Sequence, residues 1–445
     1  MMKHRRWERR LAAAVALAVL IGTATEGCGG SLAPDPVAPP ELTVRPPGCA
    51  GAAALTAAQV AGAYQAPAMF AAGITGAGAT VAVIAPYADP HVAADLWAWS
   101  RGSGLPGAQV QVIRYDGAPD ASGPPGSDAW GWAAEETQAL EMVHLLAPGA
   151  RLLDVVVPPQ SGSLLAPGGR ADAMYDQALA WLVATRKPTV VSYSSGIPEA
   201  WAAPAGYQPI LRSRGGLEAA ARAGVTVVAS AGDFGPTEPA DSASAGLYPR
   251  PVVAWPASDP LATAAGGTRL APAGRGWAAS VFASGGRAGG EGRSAIFARP
   301  AWQDRVAPIV GARRGVADVS MDASPCSPIL TYITDGRASG WCRTFSGTSM
   351  AAPLLAGLVA DAAQAAGHRL GVLGPALYQM HGPDGIADIT TGTDTVPGIT
   401  GDTARPGYDL PTGIGTISSA LRFTTALARL ATQAAHHQIP DEAHD

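Results

Sequence analysis

From residue 79 to residue 230 the chain alternates short, mostly apolar runs with stretches of helical length, and nothing else in it constrains the fold as strongly. Strands are expected over residues 80–84, 110–113, 151–157, 189–194 and 225–230. Helices are expected between them, over residues 90–100, 133–146, 171–185 and 217–223. Strands this apolar need cover on both faces, and strands separated by helices pair in parallel through crossovers. The fold class is therefore α/β, a mainly parallel sheet with helices on both faces. Ahead of the alternation, a helix over residues 55–66 should end at Pro67. Beyond Asp233 the texture changes to short strands punctuated by Gly, Ala, Ser and Trp, as far as Cys342. No repeat or internal linker divides the chain. With 445 residues, 47% of them hydrophobic, it can bury one large core, placed at residues 51–430.

A net charge of −5, with 15% charged residues, gives no reason to expect nucleic acid or an anionic membrane surface as a partner. Residues 3–10 are basic, and residues 11–24 form an apolar run of signal-peptide length, short for a membrane span. Residues 1–27 are thus expected to be an export signal, residues 28–50 a Pro-rich linker, and residues 431–445 a polar tail. Cys28 follows Gly27 where a lipid anchor could be attached, although Glu26 suits such a signal poorly. This is the one route to a membrane the sequence offers. Four cysteines fit an oxidising, extracellular compartment. Cys326 and Cys342 flank the turn Thr334-Asp335-Gly336-Arg337 and could staple a hairpin, worth about 3 kcal/mol in the chain-entropy picture. Cys28 and Cys49 either pair or stay free. No Cys-x-x-Cys spacing suggests a zinc site.

Three stretches carry chemistry. In Phe345-Ser346-Gly347-Thr348-Ser349-Met350-Ala351-Ala352-Pro353, small residues turn the chain sharply into the apolar run 354–360. Ser349 then stands in the first turn of a buried helix. Free N–H groups and a partial positive charge there favour a nucleophile whose attack creates an anion. The plainer alternative is an ordinary Ser/Thr-capped helix. A serine nucleophile needs a base, and the eight histidines lie in the leader, in the tail or on helices without a catalytic setting. A carboxylate can replace histidine if its pKa is raised. The helix over residues 132–146 offers Glu135, Glu136 and Glu141, which are otherwise solvated surface charges. Glu141 lies about 240° around the helix from Glu135 and points elsewhere. The third stretch, residues 225–235, is a strand ending in Gly232-Asp233-Phe234-Gly235, where Asp233 is either a turn residue or an acid presented at the strand's end.

Together these stretches resemble the serine-carboxyl peptidases, the sedolisin family of the subtilisin-like superfamily, over roughly residues 55–427. The resemblance implies a subtilisin-like α/β fold and secretion, with hydrolysis of peptide bonds in proteins or peptides at acid pH. It assigns Ser349 as nucleophile, Glu135 as base and Asp233 as the protonated donor to the oxyanion. Residues 387–392 and 405–415 resemble the family's calcium site. The carboxylates of Asp388 and Asp409, with the carbonyls of Ile389, Arg405 and Gly407, would form an oxygen cage for Ca2+. Residues 190–196 resemble the strand lining the substrate cleft. The chain is expected to act as a monomer. Two departures stand out. The family's second helix carboxylate falls on Ala139, and the position of the subtilisin aspartate falls on Ala85. Only about fifty residues precede the peptidase-like part, where the family has a large pro-region, which implies a different maturation. The alternative function is an exported, catalytically impaired sedolisin-like binding protein.

Overall fold

The computed structural model describes residues 54–123, 127–159, 173–240, 246–334, 339–343 and 346–437. The expected export signal and linker, with Cys28 and Cys49, lie outside the described residues. The N-terminal region forms two helices rather than one. The first, α1 (Ala57–Ala63), opens on a capping box in which Thr56 and Gln59 satisfy each other's backbone N–H groups. Gln65 then adopts φ 55°, and α2 (Ala66–Ala71) starts with Pro67 in its first turn. The proline expected to end a helix begins one, since its missing N–H costs nothing there.

All five expected strands form: β1 (Thr80–Pro86), β2 (Val110–Arg114), β3 (Arg151–Val157), β4 (Val190–Tyr193) and β5 (Thr226–Ser230). The sheet continues with β6 (Thr263–Ala273), β7 (Gly276–Val281), β8 (Val319–Asp322), β9 (Ile386–Ala387) and β10 (Thr416–Ile417). Its order is β9-β10-β8-β6-β5-β4-β1-β3-β2, with β7 added to β6. From β2 to β10 every neighbouring pair is parallel, while β9 and β7 are antiparallel additions.

Helices cover both faces. On one lie α3 (Val92–Gly102), α4 (Asp128–Leu146), α7 (Thr348–Ala366) and α8 (Ala420–His437), around a core that includes Leu140, Leu354, Leu358 and Phe423. On the other lie α5 (Ala173–Thr185) and α6 (Gly215–Arg222), with Leu179, Leu182 and Leu217 against Val191 and Val227. Each such aliphatic side chain, fully buried, contributes roughly 1.5–3 kcal/mol. α8 runs to His437, past residue 431 where the polar tail was expected to begin.

Two helices are buried almost all round, and they carry the site. In α4 every residue from Gly131 to Leu146 is buried. α7 is the one described helix long and apolar enough to cross a membrane, and the protein itself covers it. The two pack closely at Gly357, where a Cβ would lie 3.0 Å from the Val143 carbonyl and 3.2 Å from Leu146. This contact fixes the height of α7 against α4, and so the position of Ser349 against Glu135.

Candidate active site

The site lies at the carboxyl ends of the central strands, the usual place for one in an open parallel sheet. β5 ends at Ser230 and leads through Gly232 to Asp233. α7 begins at Thr348 directly beside it. The Thr348 N–H donates to Asp233 Oδ1 at 2.7 Å, and its hydroxyl donates to the same oxygen at 3.1 Å. The Gly232 N–H donates back to the Thr348 hydroxyl at 3.1 Å. The helix N-terminus is therefore capped from another element, by the strand-end aspartate. Gly347, which precedes the helix, has φ 142°, and a Cβ there would overlap Asp233 Oδ2. Glycine is demanded twice at this position, by the backbone and by the close approach of the carboxyl.

Ser349 is the second residue of α7 and half-buried. Its carbonyl accepts from the Ser194 hydroxyl at 3.3 Å, which ties it to the end of β4. The Glu135 carboxyl faces it from α4, 3% exposed. Burial raises the Glu135 pKa to about 8; hydrogen bonding to Ser349 and the charge of Arg287 work against that rise, while the charge of Asp233 adds to it. The Ser349–Glu135 contact nonetheless falls short of a well-aligned hydrogen bond, since neither Glu135 oxygen has a partner at full bonding geometry. Catalytic hydrogen bonds are often loose before substrate arrives. Thus Ser349, Glu135 and Asp233, drawn from three distant stretches, converge. The described histidines engage elsewhere. His144 meets the Pro106 carbonyl, His368 meets Thr432 and His381 meets Asp384.

The other glutamates of α4 are not solvated charges. Glu136 and Glu141 are 1% and 0% exposed. Glu141 accepts from the Tyr332 N–H at 3.1 Å, well away from Ser349, as the helical angle requires. Glu136 turns under the sheet to Asp154 of β3, and burial together with the Asp154 charge pushes its pKa well up. Asp154 is a lone acid in a strand otherwise apolar from Leu152 to Val157, the one signal from which this pair could have been found. Ala139, one turn along from Glu135, is 2% exposed within the apolar core, so no carboxyl stands behind Glu135 at that position. Ala85 is likewise buried near the end of β1.

Asp388 and Asp409 come together in the C-terminal loops, where the charge of Asp388 adds to the burial that raises the Asp409 pKa. Asp409 Oδ2 accepts from the Arg405 N–H at 3.0 Å and Asp388 Oδ2 from the Gly407 N–H at 2.9 Å. Among the described residues no backbone donor meets the carbonyls of Ile389, Arg405 or Gly407. Nor do any three His, Cys, Asp or Glu side chains cluster as metal ligands. Two acids with free carbonyls fit a hard cation such as calcium and not a zinc-type centre. Cys326 is 6% exposed. The strands 330–334 and 339–343 form the expected antiparallel hairpin, with Cys342 opposite Thr331, while the Cys342 side chain lies outside the described residues.

A parallel α/β sheet bearing a serine at a helix N-terminus, faced by two carboxyls where a triad would present histidine, defines a subtilisin-like fold with a serine–carboxyl arrangement. Comparison with known proteins gives the same class. The subtilase family model (peptidase S8) matches residues 78–376, and the chain belongs to this family, on its sedolisin branch. Kumamolisin from Bacillus sp. (strain MN-32) is 36% identical over 391 residues, 86% of this chain and 65% of kumamolisin. Sedolisin from Pseudomonas sp. (strain 101) is 32% identical over 178 residues, 38% of this chain and 29% of sedolisin. The chain therefore spans less than two thirds of the length of either relative. A solved structure of Pseudomonas sedolisin, a serine-carboxyl proteinase complexed with two molecules of pseudo-iodotyrostatin, matches with a TM-score of 0.68 at 25% identity. That match covers 87% of this chain and 100% of the other.

Proposed function

We propose that the protein is an exported serine–carboxyl peptidase that hydrolyses peptide bonds in proteins or peptides. The observation that supports this best is the convergence of the Ser349 hydroxyl, the Glu135 carboxyl and the Asp233 carboxyl at the N-terminus of α7. In this reading Ser349 Oγ attacks the scissile carbonyl carbon while ionised Glu135 takes the hydroxyl proton. The carbonyl oxygen becomes an oxyanion, which receives a hydrogen bond from protonated Asp233 through Oδ2, the oxygen not engaged by Thr348. Glu135 then gives its proton to the leaving amine. Water repeats the sequence on the acyl-enzyme, releasing the acid and restoring Ser349. Glu135 ionises only toward its pKa of about 8. Below that value the ionised base is a minority form, and activity is expected from acid pH toward neutrality. The test is incubation with a denatured protein from pH 3 to 8 beside a Ser349→Ala variant. Cleavage by the native chain alone is expected; equal cleavage by both removes the catalytic assignment.

Ala139 leaves Glu135 without the neighbouring carboxyl that would orient it and strengthen it as a base. Ala139→Asp is expected to raise kcat/KM about tenfold or more, read with a peptide substrate at fixed pH. A variant no faster than native would show that Glu135 is oriented without it.

The same proposal includes calcium held by Asp388 and Asp409 with the Ile389, Arg405 and Gly407 carbonyls. Bound there, the cation would tie the loop at Asp388 to that at Asp409 and brace the β9–β10 edge. Chelation should then lower the melting temperature, and Asp409→Ala should abolish that response. An unchanged response in the variant would argue against this site. A Cys326–Cys342 disulfide also belongs to the proposal. Its support is that Cys326 is not a free thiol and that Cys342 stands on the neighbouring hairpin.

A further inference from the structure

Arg287 is the charged residue that nothing so far accounts for. It sits in Gly285-Gly286-Arg287-Ala288-Gly289-Gly290, an otherwise uncharged stretch of the smallest residues. That stretch is fixed to the loop carrying Asp233. The Ala288 N–H donates to the Asp233 carbonyl at 3.1 Å, the Gly235 N–H to the Ala288 carbonyl at 3.0 Å, and the Gly290 N–H to the Gly232 carbonyl at 2.7 Å. A two-residue hairpin pairing Ser284 with Arg287 holds the position from the other side. The side chain is 17% exposed, and its guanidinium carbon lies 5.7 Å from the centre of the Phe234 ring, an arrangement that restrains a flexible arginine. Its Nη1 reaches to 3.8 Å from Asp233 Oδ2. The cation thus stands beside the oxygen assigned to the oxyanion, within electrostatic reach of Glu135.

We propose that Arg287 is a positioning residue of this site, whose fixed positive charge keeps Glu135 available as a base. The proposal rests on the peptidase reading above. Its physical basis is the desolvation of Glu135. A carboxyl buried this deeply, with no partner at full bonding geometry, would keep its proton well past neutrality, and a nearby cation is the direct remedy. The groups facing Glu135 are Ser349, Asp233 and Arg287, of which Arg287 alone is positive. Asp233 is faced in turn by Arg287, Thr348, Glu135 and buried Glu238, whose own pKa burial and the Asp233 charge raise. The arrangement offsets, from the oxyanion side, part of what Ala139 takes away behind Glu135.

The experiment compares kcat/KM against pH for the native chain, Arg287→Met and Arg287→Lys. The backbone ties of this stretch do not involve the side chain, so both variants should fold. Arg287→Met is expected to lose about tenfold at pH 5–6, with the loss shrinking as pH rises and the limb governed by Glu135 moving up by about one pH unit. Arg287→Lys should restore most of the loss. An unchanged profile, or a loss equal at every pH and not rescued by lysine, overturns the proposal. A second readout needs no turnover: the carboxyl carbon of Glu135, assigned by NMR as the signal absent from Glu135→Gln, is titrated in native and Arg287→Met protein. An upward displacement in the variant is expected, and coincident titrations overturn the proposal. Failure of the peptidase reading would appear separately, as no cleavage by the native chain or equal cleavage by Ser349→Ala.

Discussion

Glu135→Gln should lower kcat/KM by about a thousandfold, with KM changed far less. Glutamine keeps the shape of the side chain and cannot accept the Ser349 proton, and loss of a positioned base costs about 10²–10⁴ in rate. The native profile should also rise through the acid and neutral range as Glu135 ionises toward its pKa of about 8. In the variant that rise should vanish. Folding should survive, because an uncharged amide is cheaper to bury here than a carboxylate. A Gln variant within tenfold of native, with the same pH limb, would mean that some other group takes the proton.

The second large effect is on stability. Several carboxyls are driven up by burial: Asp95 and Asp154 to about 6, Asp322 and Asp394 to about 7, and Glu291 to about 10. Glu136, Glu141, Glu238 and Asp361 are raised as well. In the unfolded chain such groups lose their protons near pH 4. Above that pH the folded state binds more protons than the unfolded state, so stability falls as pH rises. The contribution is fully present below about pH 4 and is lost as pH rises from there through the folded values, about 6 to 7 for the aspartates named with a figure and about 10 for Glu291. Each group that binds its proton tenfold more tightly when folded accounts for about 1.4 kcal/mol of this change. The melting temperature should therefore fall by on the order of 10 °C between pH 5 and 8. Asp154→Asn, which removes one acid of the Glu136 pair, should flatten the curve. A melting temperature that is constant or rises over that range would contradict the proton inventory.

The two predictions bear on each other. Glu135 ionises as pH rises while the surrounding fold loses stability, so the pH that suits the base works against the fold.

Much of this was legible in the sequence. Ser349 and Asp233 could be found because each sits at a junction, strand to turn or turn to helix, where residue type and backbone geometry are tightly coupled. Glu135 could be placed only through the family resemblance, because nothing local separates it from Glu136. The central strands were plain from their apolar runs. What failed to show was burial of charge. α4 is enclosed on every side, so it has no apolar stripe and no polar face, and Glu136 and Glu141 read as solvated surface charges. The partners of Glu136 and Glu141 lie on β3 and on the hairpin strand at Tyr332, contacts that no local pattern encodes. Arg287 was overlooked for the same reason. Its meaning comes from the backbone pairing that carries it to Asp233, 54 residues earlier in the chain. Pro67 misled because proline marks either end of a helix boundary, and only the left-handed Gln65 decides which.

The most direct test is the structure of the protein with a peptide aldehyde, which reacts with an active serine and mimics the tetrahedral intermediate. The account predicts a covalent bond from Ser349 Oγ to the aldehyde carbon, the new oxygen hydrogen-bonded to Asp233, and the Glu135 carboxyl closed onto Ser349 Oγ. An unreacted aldehyde, or an adduct whose oxygen points away from Asp233 with Glu135 still apart from Ser349, would contradict it.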